Sequence, residues 1–428
     1  MMPDAERHNR VLEAHAPALA ASLSPLGRRI AFPRGIPYQA DQARQTRYNA
    51  TIGQVTDGRG NPMPLPTMGA WLGDLDRKVA LLYSPQPGHA EVRRLWFDWQ
   101  LAQAGRATFS HAGLPVATHG LTHGLAVVAD LFTSPDTTVL LPNPSWENYG
   151  LVFTGWSGAK LATWEFYDAE GAFAPHNLRE ALARIEGRVV VVLNFPANPT
   201  GYSPTPAEAR AVVDGVLAER SGPTVVVVDD AYQGVVHVPG VLRHSLFWDL
   251  AERADPATHF VVKVDGATKE LLFFPSRLGF LTASVTGAAE ASFFDKVNAA
   301  IRGTVGSPPG PSQALILPLL RDGDATRREV AAQLAPITAR FESLRDALSA
   351  TPDARWRPFA FNSAYFAMIG MPEGVDCEAV RRELLADDVG AIALPEVNAL
   401  RIAYCSMALE DIPELVSRVD RALRAGSR

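Results

Sequence analysis

The chain has 428 residues, 47% of them hydrophobic and 20% charged, which is enough for a sizeable core and sets two domains as the starting expectation. A formal net charge of −6 gives no general attraction to nucleic acid or to an anionic membrane. The two cysteines, Cys377 and Cys405, exclude a disulfide framework and fit a reducing, cytoplasmic setting; of 40 basic residues only five are lysine, at 78, 160, 263, 269 and 296.

The N-terminus, MMPDAERHNRVLEAHAP, has no basic patch followed by an apolar stretch, so no secretory signal is expected. Residues 1–36 read as a helical arm broken at Pro17 and Pro25. Residues 50–67 (ATIGQVTDGRGNPMPLPT) are rich in Gly and Pro and read as an irregular crossing segment. Helical spacing follows over 91–104, then a glycine-containing turn, HGLTHG, opens an apolar helix within 117–132. No apolar run approaches the roughly 20 residues of a membrane span. No CxxC, HExxH, EF-hand or Walker A pattern occurs, so no metal site is expected.

The middle of the chain alternates. Short, β-branched runs at 137–142, 188–196, 224–230, 259–264 and 277–284 are nearly unbroken, as strands buried on both faces of a parallel sheet are. Helical segments separate them, for example 206–220. The fold class is therefore α/β, with a mostly parallel central sheet and crossover connections. The break Gly306-Ser-Pro-Pro-Gly-Pro311 precedes a long helical stretch from Ser312 to about Ala350, and a smaller α+β region ends in a helix over 414–425. The expected division is 68–310 as a large domain, with 311–428 and part of 1–67 forming a smaller one.

In open α/β sheets ligands bind beyond the carboxyl ends of the strands, and there the sequence places its polar residues. After 188–196 comes Asn194-Phe-Pro-Ala-Asn198-Pro-Thr-Gly201, a turn that projects Asn198. The next strand ends in Asp229-Asp-Ala-Tyr232, a carboxylate suited to a protonated ring nitrogen and a phenol suited to a neighbouring ring oxygen. After the next comes Asp265-Gly-Ala-Thr-Lys269, with Arg277 eight residues on. Lysine beside arginine in an anion-binding loop suggests an amine kept reactive at neutral pH. Taken singly, each motif has an ordinary reading as a turn, a strand end or a surface charge.

As an ordered series they resemble the fold-type-I pyridoxal-phosphate enzymes, in particular the class I/II aminotransferases, over about residues 45–410. YNATIGQVTDGRGNPMPLP is similar to that family's N-terminal glycine segment, which makes Gly53 a substrate-binding position. Tyr83 resembles the tyrosine that reaches the cofactor phosphate of the partner subunit, and Trp146 the aromatic stacked on the pyridine ring. The resemblance implies pyridoxal 5'-phosphate as cofactor, with Asn198 and Tyr232 on its phenolic oxygen and Asp229 on its pyridine nitrogen. It further implies Lys269 as the Schiff-base lysine, Arg277 as the phosphate clamp and Arg401 as the residue holding the substrate α-carboxylate. Arg302 falls where dicarboxylate-specific members present an arginine across a dimer interface, or it is a structural ion-pair partner. A homodimer with composite active sites follows from the same resemblance.

Two departures stand out. Members often carry a serine three residues before the lysine; here Gly266 stands there, so Thr122, His123 and Arg277 are expected to hold the phosphate. In aspartate aminotransferases a histidine follows the stacked tryptophan by three residues; here Tyr149 does. The implied activity is transamination between an amino acid and a 2-oxo acid. Elimination or replacement, carbon–carbon bond formation, or ring closure on an activated amino acid such as S-adenosylmethionine stays open beside it. A transcription regulator built on the same domain would need a DNA-binding module, and about 45 residues are too few for one.

Overall fold

A computed structural model describes residues 36–51, 53, 55–58, 61, 63, 65–67, 75–351 and 356–425, with positions 6, 9, 10 and 13 of the arm. The helical arm expected over 1–36, with its breaks at Pro17 and Pro25, otherwise lies outside the described residues.

Seven strands form the central sheet: β1 Val116–Thr118, β2 Thr138–Asn143, β3 Lys160–Glu165, β4 Val189–Asn194, β5 Thr224–Asp229, β6 His259–Gly266 and β7 Gly279–Ala283. Their order is β1-β7-β6-β5-β4-β2-β3, and only β7 runs antiparallel to its neighbours. The valine runs are continuous because both faces are covered. In β4, Val189, Val191 and Leu193 join one apolar layer with Leu178, Val212 and Phe247. Val190 and Val192 join the other, with Leu125, Val128 and Val297.

The long helices are α1 Ala90–Gln103, α2 Gly120–Phe132, α3 Pro175–Ala183, α4 Pro206–Val216, α5 Phe247–Arg253, α6 Gly287–Thr304, α7 Gly310–Arg321, α8 Gly323–Ala350, α9 Cys377–Ala386 and α10 Ile412–Ala425. A capping box of Thr205 and Glu208 starts α4, a device that contributes about 1 kcal/mol. The single stretch expected from Ser312 to Ala350 is two helices. Asp322 interrupts it, and its side chain accepts from Ala325 N–H to start α8. Among the described residues no helix is long and apolar enough to cross a membrane.

Strands β8 Phe366–Gly370, β9 Ile392–Leu394 and β10 Ala399–Ala403 make a second, antiparallel sheet with β10 between β9 and β8. The N-terminal segment joins this region. Tyr48–Asn49 pairs in parallel with Val389–Gly390, and Ala403 N–H donates to Ala50 O at 2.7 Å. Gln39 clamps Ala393 through both halves of its amide, at 3.2 and 2.7 Å. The central sheet and this second region meet at the carboxyl ends of β4, β5 and β6, where Asn194 is level with Asp229 and Asp229 with Val264.

Candidate active site

Beyond those strand ends lies a cavity of about 180 Å³. The last residue of β4, Asn194, organises its floor. Its amide N–H donates to the Asp229 carbonyl at 2.8 Å, and its side-chain oxygen accepts from Asn198 N–H at 2.8 Å. One buried side chain thus fixes the end of β5 and the turn that presents Asn198.

Asp229 is 2% exposed. Tyr149 O–H donates to its Oδ2 at 2.6 Å and Ala231 N–H to its Oδ1 at 3.0 Å. Burial raises the Asp229 pKa, opposed by those two donors and by the charge of Lys269. A cation placed in the cavity would add to the opposing side and favour the carboxylate.

Lys269 sits in a single helical turn, Ala267–Glu270, just past β6. Burial lowers its amine to about 8 and Arg277 pushes the same way, while Asp229 opposes both. Its Nζ stands 5.2 Å from the centre of the Tyr232 ring. Lys263, the nearest competing amine, is taken: its Nζ lies 2.5 Å from Asp265 Oδ2 and donates to Gln100 Oε1 at 2.9 Å.

The anion end of the cavity is made of backbone and two side chains. Thr122 lines it from the first turn of α2, where free N–H groups and the helix dipole favour negative charge. Arg277 closes it from a left-handed conformation, φ +49°. Gly120, at φ +77°, permits the approach: a Cβ there would sit 2.9 Å from Arg277 Nη2.

The second region contributes Arg401 from β10. It is 2% exposed, lies over the Phe366 ring at 4.4 Å, and donates through Nη1 to Asn198 Oδ1 (3.3 Å) and through Nη2 to Thr51 O (2.6 Å). Its Nε has no partner, and burial lowers its pKa to about 10. Gly53 is needed beside it, because a Cβ there would collide with Phe366 at 2.5 Å.

The residues expected from the sequence therefore divide. Trp146, Asn198, Asp229, Tyr232, Thr122, Lys269 and Arg277 line one cavity. His123 does not line it. Its Nδ1 accepts from His119 N–H at 3.1 Å and its Nε2 bonds Thr304 Oγ1 at 2.9 Å, so both ring nitrogens are engaged elsewhere. Burial, with His119 adding to it, lowers its pKa to about 4, which keeps the ring neutral. Tyr83 is 95% exposed and Arg302 is exposed on α6, both outside the cavity of this chain. Sequence reasoning missed Asn194 as the brace between Asp229 and Asn198, though its place at the strand end was a signal. It registered Tyr149 only as a substitution, not as the donor to Asp229.

The family model for aminotransferase class I and II matches residues 49–419. Among curated proteins, the chain is 23% identical to a cytoplasmic aspartate aminotransferase of Caenorhabditis elegans, over 87% of this chain and 92% of that one. It is 26% identical to a 2-aminoadipate transaminase of Thermus thermophilus, over 81% and 82%. Among solved structures, an aminotransferase from Anaerococcus prevotii superposes with a TM-score of 0.82 at 18% identity, covering 94% of this chain and 99% of that one. An α-aminoadipate aminotransferase from Thermus thermophilus, complexed with N-(5'-phosphopyridoxyl)-L-leucine, does so with a TM-score of 0.77 at 22% identity, covering 96% and 99%.

Proposed function

The chain belongs to the class I and II aminotransferases, and from that premise we propose how its own residues carry out amino-group transfer. It is a pyridoxal 5'-phosphate-dependent transferase. The cavity fits that cofactor on three counts: an anion end that Gly120 keeps open beside Arg277, a buried carboxylate at the opposite floor, and an amine with lowered pKa between them. Thr122 and Arg277 hold the phosphate. Trp146 covers a ring face, and Asn198 and Tyr232 take the phenolic oxygen. Asp229 holds a proton on the ring nitrogen, and Tyr149 keeps that carboxylate aimed. When bound, the cofactor supplies the electron sink for the bond broken at the substrate α-carbon.

Lys269 anchors the cofactor and, released from it, moves the α-proton as a neutral amine. Arg401 receives the α-carboxylate and sets which substrate bond faces the ring. The observation that carries this reading is the placement of Asp229, Lys269 and Arg401 around one buried cavity with Asn198 touching Arg401. Transfer is preferred to elimination or ring closure because the matched relatives are aminotransferases over most of their length.

The same reading divides the chain into a cofactor-holding part, 68–310, and a smaller part from 1–67 and 311–428. We assign it a homodimer, supported by the contiguous exposed run Leu81, Leu82 and Tyr83, with Tyr83 and Arg302 serving the partner's cavity. Arg302 would then favour acidic substrates. The two unpaired cysteines support a cytoplasmic setting.

The test is a screen of single amino donors against several 2-oxo acids, with mass detection of both products. Paired appearance of a new amino acid and a new 2-oxo acid is expected. Release of ammonia, or a cyclised or substituted product without that pair, would overturn the transferase assignment.

A further inference from the structure

Gly266 occupies the position where a serine would otherwise offer its hydroxyl, and the structure explains why none can stand there. Gly266 pairs with Gly279 across β6 and β7. A Cβ on it would lie 2.5 Å from Leu278 O and 2.9 Å from both Gly279 Cα and Leu121 Cδ1. Two of those three contacts are backbone, which does not give way as a flexible side chain would. The close approach of β7 to the start of α2 thus removes a hydroxyl from the anion end.

Two residues on, Thr268 is 4% exposed and lines the same cavity as Thr122, Lys269 and Arg277. Its Oγ1 is buried with no hydrogen-bond partner, not even the local carbonyl that a helical threonine usually finds. A hydroxyl in that state carries a desolvation cost that a ligand acceptor would relieve. We propose that Thr268 is a cofactor-binding residue whose hydroxyl donates to a phosphate oxygen of pyridoxal 5'-phosphate, replacing the one that Gly266 excludes. This rests on the placement of the cofactor given above. It also leaves His123 free for its bond to Thr304, so the phosphate contacts come from Thr122, Thr268, Arg277 and the start of α2.

The experiment compares wild type, Thr268→Val, Thr268→Ala and Thr268→Ser, each stripped of cofactor. Each is titrated with pyridoxal 5'-phosphate and with pyridoxal, which lacks the phosphate, and binding is read by quenching of tryptophan fluorescence. The Val and Ala variants are expected to bind pyridoxal 5'-phosphate about tenfold more weakly, the worth of one hydrogen bond to a charged group. They should bind pyridoxal as wild type does, and the Ser variant should bind both as wild type does. Equal weakening toward both ligands, or no weakening toward either, would overturn the assignment. Wild type that fails to prefer the phosphorylated ligand would overturn the cofactor placement itself, a different result from a failure at Thr268 alone.

Discussion

Two lysines six residues apart show how one strand serves two kinds of chemistry. Lys263, within β6, is 1% exposed and held by Asp265, Gln100 and the face of Trp248. Lys269, just past the end of β6, is also buried, but no carboxylate pairs with it among the described residues. Its neighbours are the Tyr232 ring, the more distant Asp229, and Arg277, which repels it. Burial alone therefore does not make an amine reactive. Burial with a counter-ion makes Lys263 a structural cation; burial without one lowers the Lys269 pKa and leaves the nitrogen lone pair available.

Around Lys263 the polar groups are satisfied from α1. Trp96 Nε1–H donates to Asp265 at 3.0 Å. Trp99, Gln100 and Gln103 all donate to Glu270, the residue after Lys269, whose pKa is raised to about 7 chiefly by burial. The turn that carries the reactive amine is thus pinned from behind by side chains that never reach the cavity.

The hardest break of this contrast is Lys269→Ala. Turnover should fall by about 10⁴-fold or more, and the visible absorption of covalently held cofactor should vanish from the purified protein. Lys263→Met tests the other side. It strands Asp265 as an unpaired buried charge and should lower stability by about 3–5 kcal/mol in denaturant titration, with the cofactor still covalently held in the folded fraction. Loss of covalent attachment in that variant would erase the distinction between the two lysines. Tyr149→Phe removes one charged hydrogen bond from Asp229 and should lower kcat by roughly ten- to a hundredfold, with little change in the melting temperature. The smallest effect is one of pH. Because the Lys269 pKa is depressed to about 8, the neutral, attacking fraction grows as pH rises through that value. The rate of cofactor attachment to stripped protein should rise roughly tenfold from about pH 7 to about pH 9 and then level off, as followed by stopped-flow absorption.

The parts of the molecule that the sequence reveals are those with a local signal. β4, β5 and β6 are legible because apolar layers cover both of their faces, which leaves unbroken valine runs. β3 is not, because it is an edge strand in which only Trp164 is buried, and KLATWE therefore shows no run. β1 has three residues, too few for any period to register. The site divides the same way. Asn198, Asp229, Tyr232, Lys269 and Arg277 follow strand ends in order, so their convergence is readable. The Thr51 carbonyl on Arg401, 350 positions away, and the Phe366 ring that makes Gly53 obligatory arise only from the meeting of the two sheets. His123 misled because its neighbours in sequence are phosphate contacts, while its ring turns to Thr304 on α6.

The distribution of amines also has a practical side. Lys78, Lys160 and Lys296 are exposed, while Lys263 and Lys269 are enclosed. An amine-directed reagent used sparingly would mark three well-separated points on the outside and reach Lys269 only through the mouth of the cavity. Mass mapping of the modified peptides would then act as a footprint. Labelling at Lys269 would report access to the interior, and the three outer lysines would offer fixed points for attaching a dye or a solid support without touching the catalytic amine.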